Sequence, residues 1–155
     1  MRPQERLTAR RQLDKRLNSL QNMESLVRPP KGWVKAIREA LGMTTSQLAR
    51  RLGVAQSRAV TIEQAEAKGA ITLGTLEKAA QALDCRLVYV LVPRKPLETL
   101  VEDRAQALAK QRLKSTAHSM ALEDQSVDAA DESEQLKALT KRLIEEAGSK
   151  LWDEQ

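Results

Sequence analysis

At 155 residues the chain has room for one compact domain, or for a small core with helical extensions, and a multidomain enzyme is not expected. Hydrophobic residues make up 41% but aromatics only 2% (Trp33, Tyr89 and Trp152), so the core rests on Leu, Val, Ile and Ala, which favours helices and leaves almost no stacking platform for single-stranded nucleic acid. The net charge of +5 is unevenly spread: residues 1–60 carry 13 Lys or Arg against 4 Asp or Glu, and residues 61–155 carry 13 against 17, which puts a phosphate-binding face in the first part.

From Pro3 to about Leu26 the spacing predicts an amphipathic helix, with Leu13, Leu17, Leu20 and Met23 recurring at three- and four-residue steps. Its Arg2, Arg6, Arg10, Arg11, Lys15 and Arg16 form a basic face. Such faces are commonly just solvated, but beside a reading helix they would grip phosphate without choosing a sequence. The N-terminus lacks the apolar stretch of a secretory signal, and Pro29 and Pro30 end the helix. From Lys31 to Asp84 the pattern is of short helices, broken at Thr44, Gly53 and Lys68-Gly69.

Cys85 is the single cysteine and has no internal disulfide partner; no apolar run approaches the roughly 20 residues that cross a bilayer. A reducing cytoplasm and no membrane association are therefore expected. Residues 86–92, RLVYVLV, read as one short strand stopped by Pro93. A lone strand needs a partner, and Leu87, Val88, Tyr89, Val90 and Leu91 of a second copy would supply one, giving a homodimer. A buried helix turn, or pairing with an irregular segment, remains the alternative.

After Pro96 a second long helix is predicted through Leu97, Leu100, Val101, Arg104, Ala105, Leu108 and Ala109 toward Met120. The acidic stretch from Asp124 to Ser133 reads as a loop or linker, and a last helix carries Leu136, Leu139, Leu143, Ala147 and Leu151. The expected class is all-α with one short strand. It divides into a basic helix over 1–30, a DNA-binding part with the pairing strand over 31–93, and a helical region over 94–155.

The segment GMTTSQLARRLGVAQSRAVTIEQAEAKG carries the most information. Thr44 can cap a helix and Gln47, three residues on, can close a capping box. Gly53 takes the tight turn, Val54 plugs the space between helices, and a second helix starts near Ala55 or Gln56. Small Ala49 permits a close crossing. On the second helix Ala59 and Ile62 point to the core, whereas Gln56, Ser57, Thr61 and Gln64, flanked by Arg58, share the outer side. Gln offers a bidentate contact to adenine and Arg to guanine, each pair contributing about 1–3 kcal/mol of discrimination. The competing reading is a polar, solvated face in an unrelated bundle.

TSQLARRLGVAQS resembles the Xre-type helix-turn-helix family, which includes the lambdoid phage repressors and many antitoxins, over about residues 33–84. The resemblance implies a lambda-repressor-like helical bundle on double-stranded DNA. Residues at the positions of Gln56, Ser57 and Thr61 would face base edges, and those near Thr45 and Gln47 would meet phosphate. Val60 departs from the pattern, standing where a polar residue is common.

PPKGWVKAIREALGMT, ITLGTLEKAAQALDCRLVYVLVP and AHSMALEDQ together resemble the bacterial family called mobile mystery protein A, across nearly the whole chain. That resemblance implies an antitoxin-like protein that represses its own operon and whose C-terminal helices bind a Fic-domain toxin, a fold that transfers AMP from ATP to a hydroxyl side chain. Fic inhibitors carry Ser or Thr, three residues, Glu, then Gly or Asn. Here Ser119 and Glu123 match and Asp124 replaces the last residue. Glu123 would then pair with the Fic Arg that otherwise holds the ATP γ-phosphate, since a carboxylate presents the bidentate acceptor geometry of a phosphate. Ser119 and Glu123 are equally an i, i+4 pair on a surface helix. The alternative function is a phage-type repressor with no toxin partner. His118, the single histidine, has no Cys or His neighbours for a metal site, and no nucleophile pattern or glycine-rich phosphate loop is visible. The chain reads as non-enzymatic and without a cofactor.

Overall fold

The computed structural model describes residues 2–122 and 129–153, and the chain forms two compact units. One comprises residues 23–91; the other joins the first 22 residues to the chain from 92 onward.

In the unit of residues 23–91 four helices follow one another: α2 (Trp33–Ala40), α3 (Thr45–Leu52), α4 (Gln56–Ala67) and α5 (Leu73–Ala82). Their inward positions bury Val34, Leu48, Ile62, Ala79 and Leu83, with Ile37, Met43, Leu52, Ile71 and Leu76 packed around them. Removal of such side chains from water is the main term holding short helices together, since none of them is long enough to be stable alone. Local signals set the boundaries. Thr72 caps α5, its Oγ1 accepting the Thr75 N–H at 3.2 Å, and Asp84, with φ 54°, turns the chain out of it.

The start of α2 is capped from elsewhere. Gly32 has no side-chain oxygen, and its place is taken by Glu66 of α4, whose Oε1 accepts the Trp33 N–H at 2.7 Å and whose Oε2 accepts the Val34 N–H at 2.8 Å. Glu66 is almost fully buried, and these amides satisfy its carboxylate. Glycine is required at position 32 twice over: its φ is +84°, and a Cβ there would lie 2.8 Å from Glu66 Oε2.

The other unit consists of α1 (Pro3–Leu17), α6 (Leu97–Leu122), α7 (Ala129–Glu146) and a closing 3-10 turn (Gly148–Trp152). Pro3 opens α1 at a position where its missing N–H is harmless. Asp14 of α1 caps α6, accepting the Leu97 N–H at 2.7 Å and the Glu98 N–H at 3.1 Å, while Arg10 pairs with Glu98 at 3.0 Å. Ala105, Leu108, Ala109, Leu143 and Leu151 form this unit's buried cluster. Arg104 ties the final turn down by donating to the carbonyls of Leu151 (2.8 Å) and Asp153 (3.1 Å).

Three expectations need correction. The first helix stops at Leu17 rather than near Leu26. Asn18 and Ser19, poor helix formers, begin a 3-10 turn there, and Ser19 Oγ bonds back to the Arg16 carbonyl. The acidic stretch is helical from Ala129, with Asp131 and Glu132 in the first turn, where carboxylates suit the helix dipole. No strand is present among the described residues: 86–92 is irregular and, apart from half-buried Leu87, exposed, since strand-like residue types form a strand only where ladder bonds hold them. Among the described residues no helix is long and apolar enough to cross a membrane.

Candidate nucleic-acid interface

Two helices, α3 and α4, and the three-residue turn between them build the interface. The capping box of α3 is complete: Thr44 Oγ1 accepts the Gln47 N–H at 3.2 Å, and Gln47 Oε1 accepts the Thr44 N–H at 2.8 Å. Gly53 ends α3 in the left-handed conformation (φ 68°, ψ 32°), which suits glycine far better than any residue with a Cβ. The Val54 N–H then returns to the Ala49 carbonyl at 3.0 Å, and α4 packs on α3. Ala49 and Ala59, both buried, are small enough to allow that approach.

The inward face of α4 is Ala59, Ile62, Glu63 and Glu66. Two of these four are acidic, and both clamp α4 to α2. Glu66 caps α2 as described. Glu63 makes a two-pronged ion pair with Arg38, Nε to Oε1 at 2.5 Å and Nη2 to Oε2 at 3.2 Å, while Arg38 Nη1 donates to the Met43 carbonyl at 2.8 Å. Both side chains are nearly buried. The hydrogen bond to the Glu63 carboxylate raises the Arg38 pKa above its already high ordinary value, outweighing the opposing effect of burial. Sequence reasoning missed Arg38, Glu63 and Glu66. The signal was present in the i, i+3, i+4, i+7 spacing of 59, 62, 63 and 66, and in a helix beginning after a glycine that cannot cap it.

With α4 fixed on that side, its other face is open. Gln56, Ser57, Arg58, Val60, Thr61 and Gln64 are all exposed. The expected reading residues therefore lie together on one helix, pointing away from the core. Thr61 Oγ1 donates to the Ser57 carbonyl at 2.9 Å, so its proton is engaged and its lone pairs face outward as acceptors. Thr45 and Gln47 sit in the first turn of α3. Because Gln47 uses its oxygen on the Thr44 amide, the group it has left to offer a ligand is its NH2, a donor. Arg50, Arg51, Arg58 and Lys68 add exposed positive charge. Arg51 also touches the Ala82 carbonyl (3.1 Å) and Asp84 (3.4 Å), a surface pairing of small energetic weight.

The remaining expected residues are elsewhere. Leu87 is half-buried, whereas Val88, Tyr89, Val90 and Leu91 are exposed, Val88 by 72% and Leu91 by 86%. Ser119 is exposed on α6 with its hydroxyl bonded to the Ser115 carbonyl at 3.2 Å. Glu123 and Asp124 lie outside the described residues. Among the described residues no three His, Cys, Asp or Glu side chains are grouped to hold a metal ion.

No curated protein and no solved structure matches the chain. A family model described as helix-turn-helix matches residues 34–90, which take in α3 to α5 and all but the first residue of α2; this part of the chain is similar to a helix-turn-helix domain, and the match supports a DNA-binding, transcription-regulating role.

Proposed function

We propose that the protein is a homodimeric operator-binding repressor of its own operon, and that its C-terminal helices serve as the antitoxin of a Fic-type, AMP-transferring partner. The observation that carries the DNA-binding part is the exposed polar face of α4, with the donors of α3 and the cationic side chains beside it. That arrangement supports base readout by Gln56, Ser57, Arg58, Thr61 and Gln64, with phosphate contacts at Thr45 and Gln47.

The dimer is supported by the apolar run Val88 to Val92, which one copy leaves exposed and which a second copy would cover by strand pairing. Sedimentation of the full chain is expected to give a dimer. A folded monomer at micromolar concentration would rule the pairing out.

The antitoxin part rests on the resemblance of the SMALED segment to the Fic-inhibitory pattern, with Glu123 occupying the γ-phosphate position against the toxin's Arg. Co-purification with a Fic-domain partner is expected. In that complex Glu123→Gly is expected to release AMP transfer from labelled ATP while leaving operator affinity unchanged, because the residue is far in sequence from α4. Equal, low transfer by the wild-type and variant complexes, with an active free toxin, would refute inhibition through Glu123. Failure to bind any Fic protein would favour a phage-type repressor without a toxin.

A further inference from the structure

Val60 stands out on the reading face. It is 37% exposed and is absent from the packed core of its unit, whereas its neighbours Ala59 and Ile62 are buried. On a helix of 3.6 residues per turn, Gln56, Val60 and Gln64 form one row, each about a turn from the next, with Ser57 and Thr61 forming the adjoining row. The single apolar side chain of this face thus lies in line between two glutamines, outside the core cluster and partly open to water in the unbound protein.

The floor of the major groove is polar at every base edge except one: thymine carries a 5-methyl group. Glutamines above and below Val60 suit adenines, through the N6 amino and N7. Thr61, its proton given to the Ser57 carbonyl, offers an acceptor that suits an adenine or cytosine amino group rather than the acceptors of guanine. An apolar side chain between such groups has a natural mate in the methyl of a thymine within an A·T-rich half-site.

We propose that Val60 is a specificity residue that packs on the 5-methyl group of a thymine in each half-site of the operator. The inference rests on the operator-binding reading above. The gain comes from removing both the valine and the thymine methyl from water, and it is lost wherever cytosine or guanine replaces thymine, since a polar edge would then face the valine unpaired.

The test begins with the full chain selecting its preferred sequence from synthetic duplexes that contain no methylated cytosine, so that thymine is the one source of a groove methyl. Each thymine of that sequence is then replaced singly by deoxyuridine, which pairs identically and lacks only the methyl. Wild type is expected to lose roughly four-fold in affinity at one thymine per half-site, the amount set by burying one methyl group. The Val60→Ala variant, with an unchanged melting temperature, is expected to bind the thymine and uracil duplexes equally at that position. Insensitivity of wild type to every uracil replacement would overturn the proposal, as would full sensitivity of Val60→Ala at the same thymine. If the chain selects no sequence at all, the operator-binding reading itself fails.

Discussion

Arg38→Met is expected to destabilise the helix-turn-helix unit by about 3–5 kcal/mol, because it leaves the Glu63 carboxylate buried with no opposite charge and no donor in reach. The effect should belong to the broken pair rather than to the loss of charge in general. The double variant Arg38→Met, Glu63→Leu removes both charges and fills the space with apolar atoms. It should recover most of the loss and retain a deficit of about 1 kcal/mol for the bond to the Met43 carbonyl. Urea unfolding of the three proteins measures this. A single-variant cost below about 1 kcal/mol, the range of exposed ion pairs, would mean that the Arg38–Glu63 contact does not hold α4 to α2.

Gln56→Ala should lower affinity for the selected operator by about 1–3 kcal/mol, roughly 5- to 150-fold, while leaving affinity for random duplex nearly unchanged. Gln56 is exposed at the first turn of α4 and lies apart from the core cluster, so its truncation subtracts a base contact and little else. Ser57→Ala should act in the same direction. Equal losses on operator and random duplex would assign both residues to the backbone, since phosphate contacts position the protein without reading it.

What was legible in the sequence was local. The capping box of Thr44 and Gln47, the left-handed turn at Gly53 and the outward set on α4 follow from residues within a few positions of one another, and the structure shows all three. The features that were not legible depend on partners far along the chain. Glu63 and Glu66 look like solvent residues until Arg38, 25 positions away, and the α2 amides, 32 and 33 positions away, are brought to them. Likewise nothing near Asp14 shows that it caps a helix 83 residues later, and the apolar stripe expected of α1 proved less informative than this one carboxylate. The strand expected at 86–92 fails for a different reason: an apolar, β-branched run shows only that a strand would suit those residues, and the folded chain leaves them irregular.

Operator recognition is tested most directly by titrating the full chain against its selected duplex and a scrambled duplex of the same composition, at two salt concentrations. Preference for the selected duplex of at least roughly 10³-fold is expected. Both affinities should fall steeply as salt rises, because Lys and Arg displace counterions from the phosphates. Equal affinity for the two duplexes, or no salt-dependent binding to either, would contradict a DNA-reading role for the exposed face of α4.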